Sequence, residues 1–265
     1  MPFAPVNGIH LHYSDTGGGD PVLLLMGSGS PGRVWHAHQV PALLSAGYRV
    51  ITVDNRGIEP SSCPDSFTVH DMVGDVVGLI DHLGLSGVRV VGTSLGAYVA
   101  QELALARPDL VRQVVLMASR ARSDAFRTAL ARAEIELYDS GVRVPAAYRA
   151  VITALTSLSR STLDDHGEIR DWLDLFELVL PDGPGVRAQL ALEPMPDRTP
   201  AYGGIRVPCH VIAFSDDVLT PPAHGEELAG IIPGATFEVV AGAGHYGYLE
   251  RPEAVNDSIV KFFHA

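Results

Sequence analysis

Polar and apolar positions along the chain follow two alternating patterns. Short segments of apolar or alternating character predict strands near residues 3–6, 9–14, 22–25, 49–53, 88–91, 111–117, 209–214 and 236–240. Segments with helical periodicity lie near residues 33–45, 69–83 and 97–107, and a terminal helix opens at Pro252. This alternation predicts an α/β fold with a mainly parallel sheet covered by helices on both faces. Such sheets bind ligands at the carboxyl ends of their strands.

The alternation stops after the sixth predicted strand. Three consecutive helices are predicted near residues 123–140, 146–158 and 168–180, and glycine and proline residues separate them. The strand pattern resumes at Val207. We therefore predict one α/β core formed by residues 1–118 and 205–265, with residues 119–204 inserted as a helical segment.

The fifth predicted strand runs directly into the sequence Gly92-Thr-Ser94-Leu-Gly96, and a helix follows. A serine between a strand and a helix must turn sharply, which is tolerable only when the residues two before and two after it have no side chain. The hydroxyl then stands at the start of a helix, where the Leu95 amide and the helix dipole favour a developing oxyanion. Ser94 is therefore the candidate nucleophile.

A serine hydroxyl is a weak nucleophile, so it needs a histidine base and an acid that orients the base. Of the eleven histidines, His245 follows a glycine-rich turn after the strand at residues 236–240. Two adjacent acids, Asp216 and Asp217, follow the strand at residues 209–214 and precede His245 by some thirty residues. Position along the chain leaves both acids open, and Asp124, just beyond the sixth strand, is a further alternative.

Three segments together resemble the α/β-hydrolase superfamily: Gly-Thr-Ser94-Leu-Gly, Asp217-Val-Leu-Thr-Pro-Pro and Gly-Ala-Gly-His245. The resemblance implies an eight-stranded, mainly parallel sheet with a helical cap inserted after the sixth strand. It also implies a catalytic triad of Ser94, Asp217 and His245, with Asp217 preferred to Asp216, and it implies no cofactor.

The segment from Met26-Gly27-Ser28 to Trp35 resembles the loop that supplies one oxyanion donor in this superfamily. The resemblance implies that the backbone amides of Ser28 and Leu95 bind the oxyanion. The chain has Met26 where many members carry histidine.

The cap is expected to set substrate preference. A predicted cap helix is apolar on more than one face around Trp172 and Phe176, which favours a pocket for a moderately apolar group. The candidate pocket residues are Trp35, Trp172, Phe176 and Tyr246.

The resemblance implies a serine hydrolase that cleaves an ester, lactone or thioester of a small acyl compound. A carbon–carbon hydrolase, a cyclase and a haloperoxidase- or perhydrolase-like enzyme would use the same triad and stay open as alternatives. Carbon–carbon hydrolases of the superfamily tend to carry tryptophan after the catalytic histidine, where this chain has Tyr246. A non-catalytic ligand-binding protein on the same fold is a second alternative.

Composition limits the expected binding partners and the expected cellular location of the protein. The net charge of −12 argues against nucleic acid and anionic membranes as partners. Cys63 and Cys209 lie far apart and predict no disulfide framework, and paired histidines without neighbouring carboxylates predict no metal site. The start of the chain lacks the pattern of a signal peptide, so we expect a cytoplasmic protein. The glycine-rich stretch at residues 16–20 predicts a hairpin turn.

Overall fold

The computed structural model describes residues 2–179 and 183–265 and contains one eight-stranded sheet. The strand order is β1-β2-β4-β3-β5-β6-β7-β8. β1 and β2, and β2 and β4, pair antiparallel, and the remaining neighbours are parallel. The strands are β1 (Phe3–Val6), β2 (Ile9–Thr16), β3 (Pro21–Leu25), β4 (Arg49–Val53), β5 (Val88–Thr93), β6 (Val111–Met117), β7 (Cys209–Phe214) and β8 (Thr236–Val240). The predicted mainly parallel α/β sheet is confirmed.

Helices cover both faces of this sheet. They are α1 (Gln39–Ser45), α2 (Val69–His82), α3 (Leu95–Ala106), α4 (Ala125–Asp139), α5 (Ala146–Ser157), α6 (Arg160–Asp164), α7 (Glu168–Val179), α8 (Pro184–Leu190), α9 (Thr199–Tyr202), α10 (Pro222–Ile231), α11 (Gly247–Glu250) and α12 (Pro252–His264). Side chains of α2, α3 and α10 share one apolar core, and side chains of α1 and α12 share the other. None of the helices in the described residues is long and apolar enough to cross a membrane.

The helix predicted for residues 33–45 is interrupted. A 3₁₀ helix occupies Gly32–Ala37, His38 leaves the helical conformation, and α1 begins at Gln39. Pro41 explains the break, because a proline ring clashes with the carbonyl of the residue four positions before it, here Ala37. The helix predicted for residues 168–180 corresponds to α7, and its predicted end at Leu180 lies outside the described residues.

The hairpin predicted at residues 16–20 is wrong. The strands on either side of this turn, β2 and β3, both pair with β4 and not with each other. The turn instead packs against the backbone that leads into β4, where a side chain on Gly19 would collide with the carbonyl oxygen of Gly47. Nothing in the local sequence showed that a later strand would lie between these two.

Within the described residues, six helices, α4 to α9, lie between β6 and β7, and we call them the inserted helices. α5 and α7 pack together around a small apolar cluster that includes Ala150, Ala154, Leu158 and Phe176. The three short inserted helices, α6, α8 and α9, have 5, 7 and 4 residues and are too brief to show a helical period in the sequence. The division into a core and a cap domain stays a prediction.

Candidate active site

Ser94 sits at the turn between β5 and α3 with a backbone conformation that is rare outside glycine. Its φ is 52° and its ψ is −118°. The turn is possible because a side chain on Gly92 would collide with the carbonyl of Gly96, and one on Gly96 would collide with the carbonyl of Leu25. The helix therefore starts in direct contact with the end of β3, and the serine is presented at the carboxyl edge of the sheet.

His245 and Asp217 form a buried pair at the same edge. The Nδ1 atom of His245 lies 2.7 Å from Oδ2 of Asp217, and the Asp217 side chain is fully buried. Oδ1 of Asp217 accepts hydrogen bonds from the backbone amides of Leu219 and Thr220, both at 2.8 Å. The Thr220 hydroxyl donates to Oδ2 at 2.8 Å, so the carboxylate has fixed donors on both oxygens.

These donors decide the charge of Asp217. Burial by itself raises the pKa of this carboxyl, but the His245 ring and the Thr220 hydrogen bonds outweigh burial and hold the pKa below its ordinary value. Asp217 is therefore an ionised acceptor for a proton on Nδ1 of His245. A histidine held in this tautomer keeps Nε2 free to act as a base.

The two other candidate acids have different partners. Oδ2 of Asp216 accepts a hydrogen bond from the Arg160 backbone amide at 3.0 Å, and Oδ1 accepts from the Ser215 hydroxyl at 2.6 Å. Asp124 caps the amino terminus of α4 by accepting from the Arg127 amide at 2.7 Å. The structure thus brings Asp217, and neither of these acids, to His245.

The loop that carries His245 is tied to the inserted helices. The buried carboxylate of Glu250 accepts from the Gly244 amide at 2.7 Å and from the Ser159 amide at 2.8 Å. The amide of Tyr246 donates to the carbonyl oxygen of Ser157 at 2.9 Å. The Ser157 carbonyl at the end of α5 therefore fixes the backbone after the histidine, and Glu250, itself bonded to the Ser159 amide, fixes the backbone before it.

The loop after β3 passes next to Ser94. A side chain on Gly27 would lie 3.3 Å from Cβ of Ser94, and the cavity above the serine is lined by Gly27, Ser28 and Gly29. Leu95 is the first residue of α3, where backbone amides lack acceptors within the helix. The predicted donors, the amides of Ser28 and Leu95, thus belong to segments on either side of the serine.

A buried carboxylate from the inserted segment holds this loop. Oε1 of Glu193 accepts from the Ser28 hydroxyl at 2.5 Å, and Oε2 accepts from Arg127 at 2.6 Å and Arg120 at 3.0 Å. Burial alone raises the pKa of Glu193, yet the two guanidinium groups and Ser28 lower it to about 2. The side-chain oxygen of Gln189 also accepts from the Gly29 amide, at 2.7 Å.

Ser94 and His245 line a common cavity of about 230 Å³. We call it the serine cavity. Its walls are rich in hydroxyl and charged groups, contributed mainly by the loop after β3 and by α4 and α5. These residues are Ser30, Thr93, Arg127, Glu134, Thr153, Thr156, Ser157 and Glu193.

The predicted pocket residues fall in three places. Tyr246 lines the serine cavity, but Trp172 and Phe176 line a neighbouring cavity of about 400 Å³, which we call the apolar cavity. The prediction that Trp35 lines the pocket is wrong. The residue is fully buried, and its ring packs against that of Tyr248 at 5.0 Å between centroids. The 3₁₀ helix turns the Trp35 side chain toward the sheet, into the core shared by α1 and α12.

Several groups at this site went unrecognised in the sequence, and Thr220 and Glu193 are two of them. Thr220 follows Asp217 by three residues, and an acid with a nearby threonine is a common local turn, so this spacing could have indicated the contact. Glu193 reaches Ser28 across 165 residues of chain, and no local pattern distinguishes it from a surface glutamate. Only the packing of the inserted segment on the core reveals its role.

Comparison with known proteins identifies the family of the chain. The profile of the Alpha/beta hydrolase family matches residues 22–258 of the chain. The chain belongs to the α/β-hydrolase family. Relatives named as hydrolases support an enzyme with hydrolase activity.

Among the relatives of this α/β hydrolase is BpoC of Mycobacterium tuberculosis H37Rv, which carries the provisional name non-heme bromoperoxidase. It is 48% identical over 256 residues, covering 96% of this chain and 98% of BpoC. Its solved structure has a TM-score of 0.93 at 47% identity and covers 96% of this chain and 95% of that one.

Two further relatives carry other names. A 2-hydroxy-6-oxononadienedioate/2-hydroxy-6-oxononatrienedioate hydrolase of Paraburkholderia phymatum is 29% identical, covering 96% of this chain and 91% of the relative. The structure of an enol-lactonase from Burkholderia xenovorans LB400 has a TM-score of 0.82 at 28% identity, and each chain is covered over 100% of its length.

Proposed function

We propose that this α/β hydrolase cleaves an ester, lactone or thioester of a small acyl compound through an acyl-enzyme on Ser94. The observation that carries the proposal is the buried Asp217–His245 pair, with Oδ2 and Nδ1 2.7 Å apart, whose histidine lines the same cavity as Ser94 at its strained turn. A nucleophile, a base and an ionised acid behind the base are the three groups that a serine hydrolase uses.

Each group has a defined role in every step of the proposed cycle. Nε2 of His245 takes the hydroxyl proton as Oγ of Ser94 attacks the substrate carbonyl, and the amides of Ser28 and Leu95 bind the oxyanion. Asp217 stabilises the imidazolium, which then protonates the departing alcohol or thiol. In the second half, His245 removes a proton from water, the hydroxide attacks the acyl carbon, and Ser94 leaves with the returned proton.

A second candidate function, that of a haloperoxidase- or perhydrolase-like enzyme, rests on the 48% identity to BpoC. In a perhydrolase reaction, hydrogen peroxide takes the place of water and attacks the same acyl-enzyme, which releases a peracid and regenerates the Ser94 hydroxyl. The relative named for 2-hydroxy-6-oxononadienedioate supports carbon–carbon hydrolysis as another use of the triad. Both alternatives share the nucleophile and differ in the substrate or the attacking molecule.

Replacing the nucleophile tests the proposal. We expect Ser94→Ala to lose covalent labelling by a fluorophosphonate, measured by intact mass, because no hydroxyl remains to attack phosphorus. Turnover of an aryl acetate should fall by about 10⁴- to 10⁶-fold. The melting temperature should stay close to that of the wild type, because alanine keeps the Cβ atom of the turn.

The wild-type protein separates the alternatives. Hydrolysis of aryl esters, lactones and acyl thioesters supports the proposal, whereas cleavage of vinylogous diketones alone supports carbon–carbon hydrolysis. Peracid formation that requires both a carboxylic ester and hydrogen peroxide supports the second candidate. Full turnover by Ser94→Ala, or no labelling of the wild type, would overturn a covalent mechanism.

A further inference from the structure

The hydroxyl of Thr220 lies between the acid and the base of the site. Its Oγ1 atom is 2.8 Å from Oδ2 of Asp217 and 3.1 Å from Nδ1 of His245. The carbonyl oxygen of Ala118, directly after β6, lies 3.2 Å from the same hydroxyl. Thr220 is 1% exposed, so its hydroxyl finds its hydrogen-bond partners among these protein atoms.

The single proton of this hydroxyl determines how the three contacts are used. A threonine hydroxyl donates one hydrogen bond and accepts through two lone pairs, whereas an ionised carboxylate and a carbonyl oxygen only accept. The Thr220 proton therefore points to Asp217 or to Ala118, and the shorter distance and the negative charge favour Asp217. A lone pair of Oγ1 is then left for Nδ1 of His245. The Nδ1 proton thus has two acceptors, Oδ2 of Asp217 and Oγ1 of Thr220.

Backbone contacts keep the Thr220 hydroxyl in this place. The Thr220 amide donates to Oδ1 of Asp217 at 2.8 Å, and Pro221 follows as the cap of α10. Threonine is branched at Cβ, which restricts its side-chain rotamers. Ala118 has a φ of 47°, in the left-handed region that residues with a side chain rarely adopt. A strained residue whose carbonyl meets the Thr220 hydroxyl beside the base indicates that this arrangement serves the site.

We propose that Thr220 is a positioning residue, whose hydroxyl and Asp217 together hold the Nδ1 proton of His245 and so aim Nε2 at Ser94. The inference rests on the proposed serine hydrolase and adds a further side chain to it. Thr220 neither gains nor loses a proton in the cycle. When Nε2 takes the proton of Ser94, the positive charge on the ring strengthens both hydrogen bonds at Nδ1, so the hydroxyl acts at the step in which the charge forms.

Two substitutions separate the hydroxyl from the shape of the side chain. Thr220→Val replaces Oγ1 by a methyl group of similar size, and Thr220→Ser keeps the hydroxyl and removes the methyl group. Thr52→Val is the matched control. Thr52 is also buried, its hydroxyl bonds that of Ser14 at 2.7 Å, and it is not among the described residues that line the serine cavity.

Pre-steady-state acylation by an aryl acetate measures the effect. Thr220→Val should lower the acylation rate constant by about 10- to 100-fold, because one hydrogen bond to charged groups is lost. The dissociation constant of the ester should change by less than about twofold, because Thr220 is not among the described residues that line the serine cavity. Thr220→Ser should recover most of the loss, and Thr52→Val should acylate at the wild-type rate.

A double variant shows whether Thr220 acts through the acid and the base. Groups that act as a unit give losses that do not add as free energies. Once Asp217→Asn has removed the carboxylate, adding Thr220→Val should lower the acylation rate by less than about a further threefold. Losses that multiply in full would identify a merely structural threonine and overturn the proposal.

The Nδ1 proton gives a readout that needs no turnover. In the resting wild type it should give a downfield proton NMR signal that is missing in His245→Gln and that exchanges slowly with water, because two acceptors hold the proton. Thr220→Val should accelerate this exchange by at least about tenfold. Thr220→Ser and Thr52→Val should stay close to the wild type.

The outcomes separate this proposal from the proposed function. Acylation by Thr220→Val at the rate of Thr52→Val, equal losses in Thr220→Val and Thr220→Ser, or a proton exchange that Thr220→Val leaves unaltered overturns the positioning role and leaves the hydrolase standing. No acyl-enzyme with any ester in the wild type overturns the proposed function, and the proton exchange then still decides whether Thr220 holds His245.

Discussion

Ser94 and Asp217 each hold a state that costs free energy. Ser94 adopts a positive φ, which costs about 1–3 kcal/mol for a residue with a side chain. Asp217 keeps a buried negative charge, and backbone amides, Thr220 and His245 compensate it. Such costs persist only where the surrounding structure imposes them, and in this chain both residues lie at one edge of the sheet.

The assignment of the catalytic acid can be tested by comparing the same substitution at Asp217 and at Asp216. Asp217→Asn should lower the acylation rate by up to about 10⁴-fold, because an amide in place of the carboxylate favours the wrong histidine tautomer and cannot stabilise the imidazolium. Asp216→Asn should change the rate less than about threefold, because Asp216 contacts Arg160 and Ser215. Pre-steady-state acylation by an aryl acetate measures both, and a larger loss in Asp216→Asn would contradict this assignment.

At the scale of elements, the site depends on how closely β3, β5 and α3 approach one another. Gly96 allows the first turn of α3 to contact the carbonyls of Leu25 and Met26 at the end of β3. The same closeness places the loop after β3 against the serine. The loop is then held from the other side by Gln189 and Glu193, so two separate segments position the proposed oxyanion donor, the Ser28 amide.

A single methyl group tests this contact. Gly96→Ala should lower the free energy of unfolding by about 2 kcal/mol or more and reduce kcat, because the new Cβ collides with backbone that cannot move without shifting β3. Gly230→Ala is the matched control, since this exposed glycine of α10 has no atom within 4 Å of the added carbon. It should be neutral or stabilise by up to about 1 kcal/mol. Urea unfolding of both variants decides the matter, and equal stabilities would refute the close approach.

At the scale of the whole molecule, Glu193 connects the inserted segment with the core. It bonds Ser28 of the core and Arg120 and Arg127 at the start of the inserted segment, and its backbone carbonyl accepts from the Ser123 hydroxyl. Removing one member of such a cluster leaves the other charges buried and uncompensated, which typically costs about 3–5 kcal/mol.

Glu193 should shape the acid stability of the protein. Its pKa of about 2 lies below the ordinary 4.5, so the charged form stabilises the fold above pH 4.5, and this contribution is lost as the pH falls toward 2. The shift corresponds to on the order of 3 kcal/mol. Glu193→Gln should therefore be less stable at pH 7 and show a flatter decline between pH 4.5 and 2 in urea unfolding. Glu226→Gln, an exposed control on α10, should follow the wild type, and an unaltered Glu193→Gln curve would contradict the prediction.

The amino-acid sequence by itself determined the eight strands, the sheet class, the turn at Ser94 and the chain positions of His245 and the acid. These features depend on local patterns: apolar runs, glycine spacing and residues at strand ends. Two predicted elements differ from the structure for different reasons. Pro41 lies within the helical pattern of residues 33–45 and breaks it, whereas the insertion of β4 between β2 and β3 leaves no signal in the local sequence.

Tertiary structure alone decided the rest. It turned the Asp217 side chain, and not that of Asp216, toward His245, which chain position alone left open although the family resemblance implied it. It buried Trp35 and separated Trp172 and Phe176 from the serine cavity. It also brought Glu193 to Ser28. Each of these outcomes depends on contacts between segments far apart in the chain, and the free energy of such contacts is fixed by packing that no local pattern encodes.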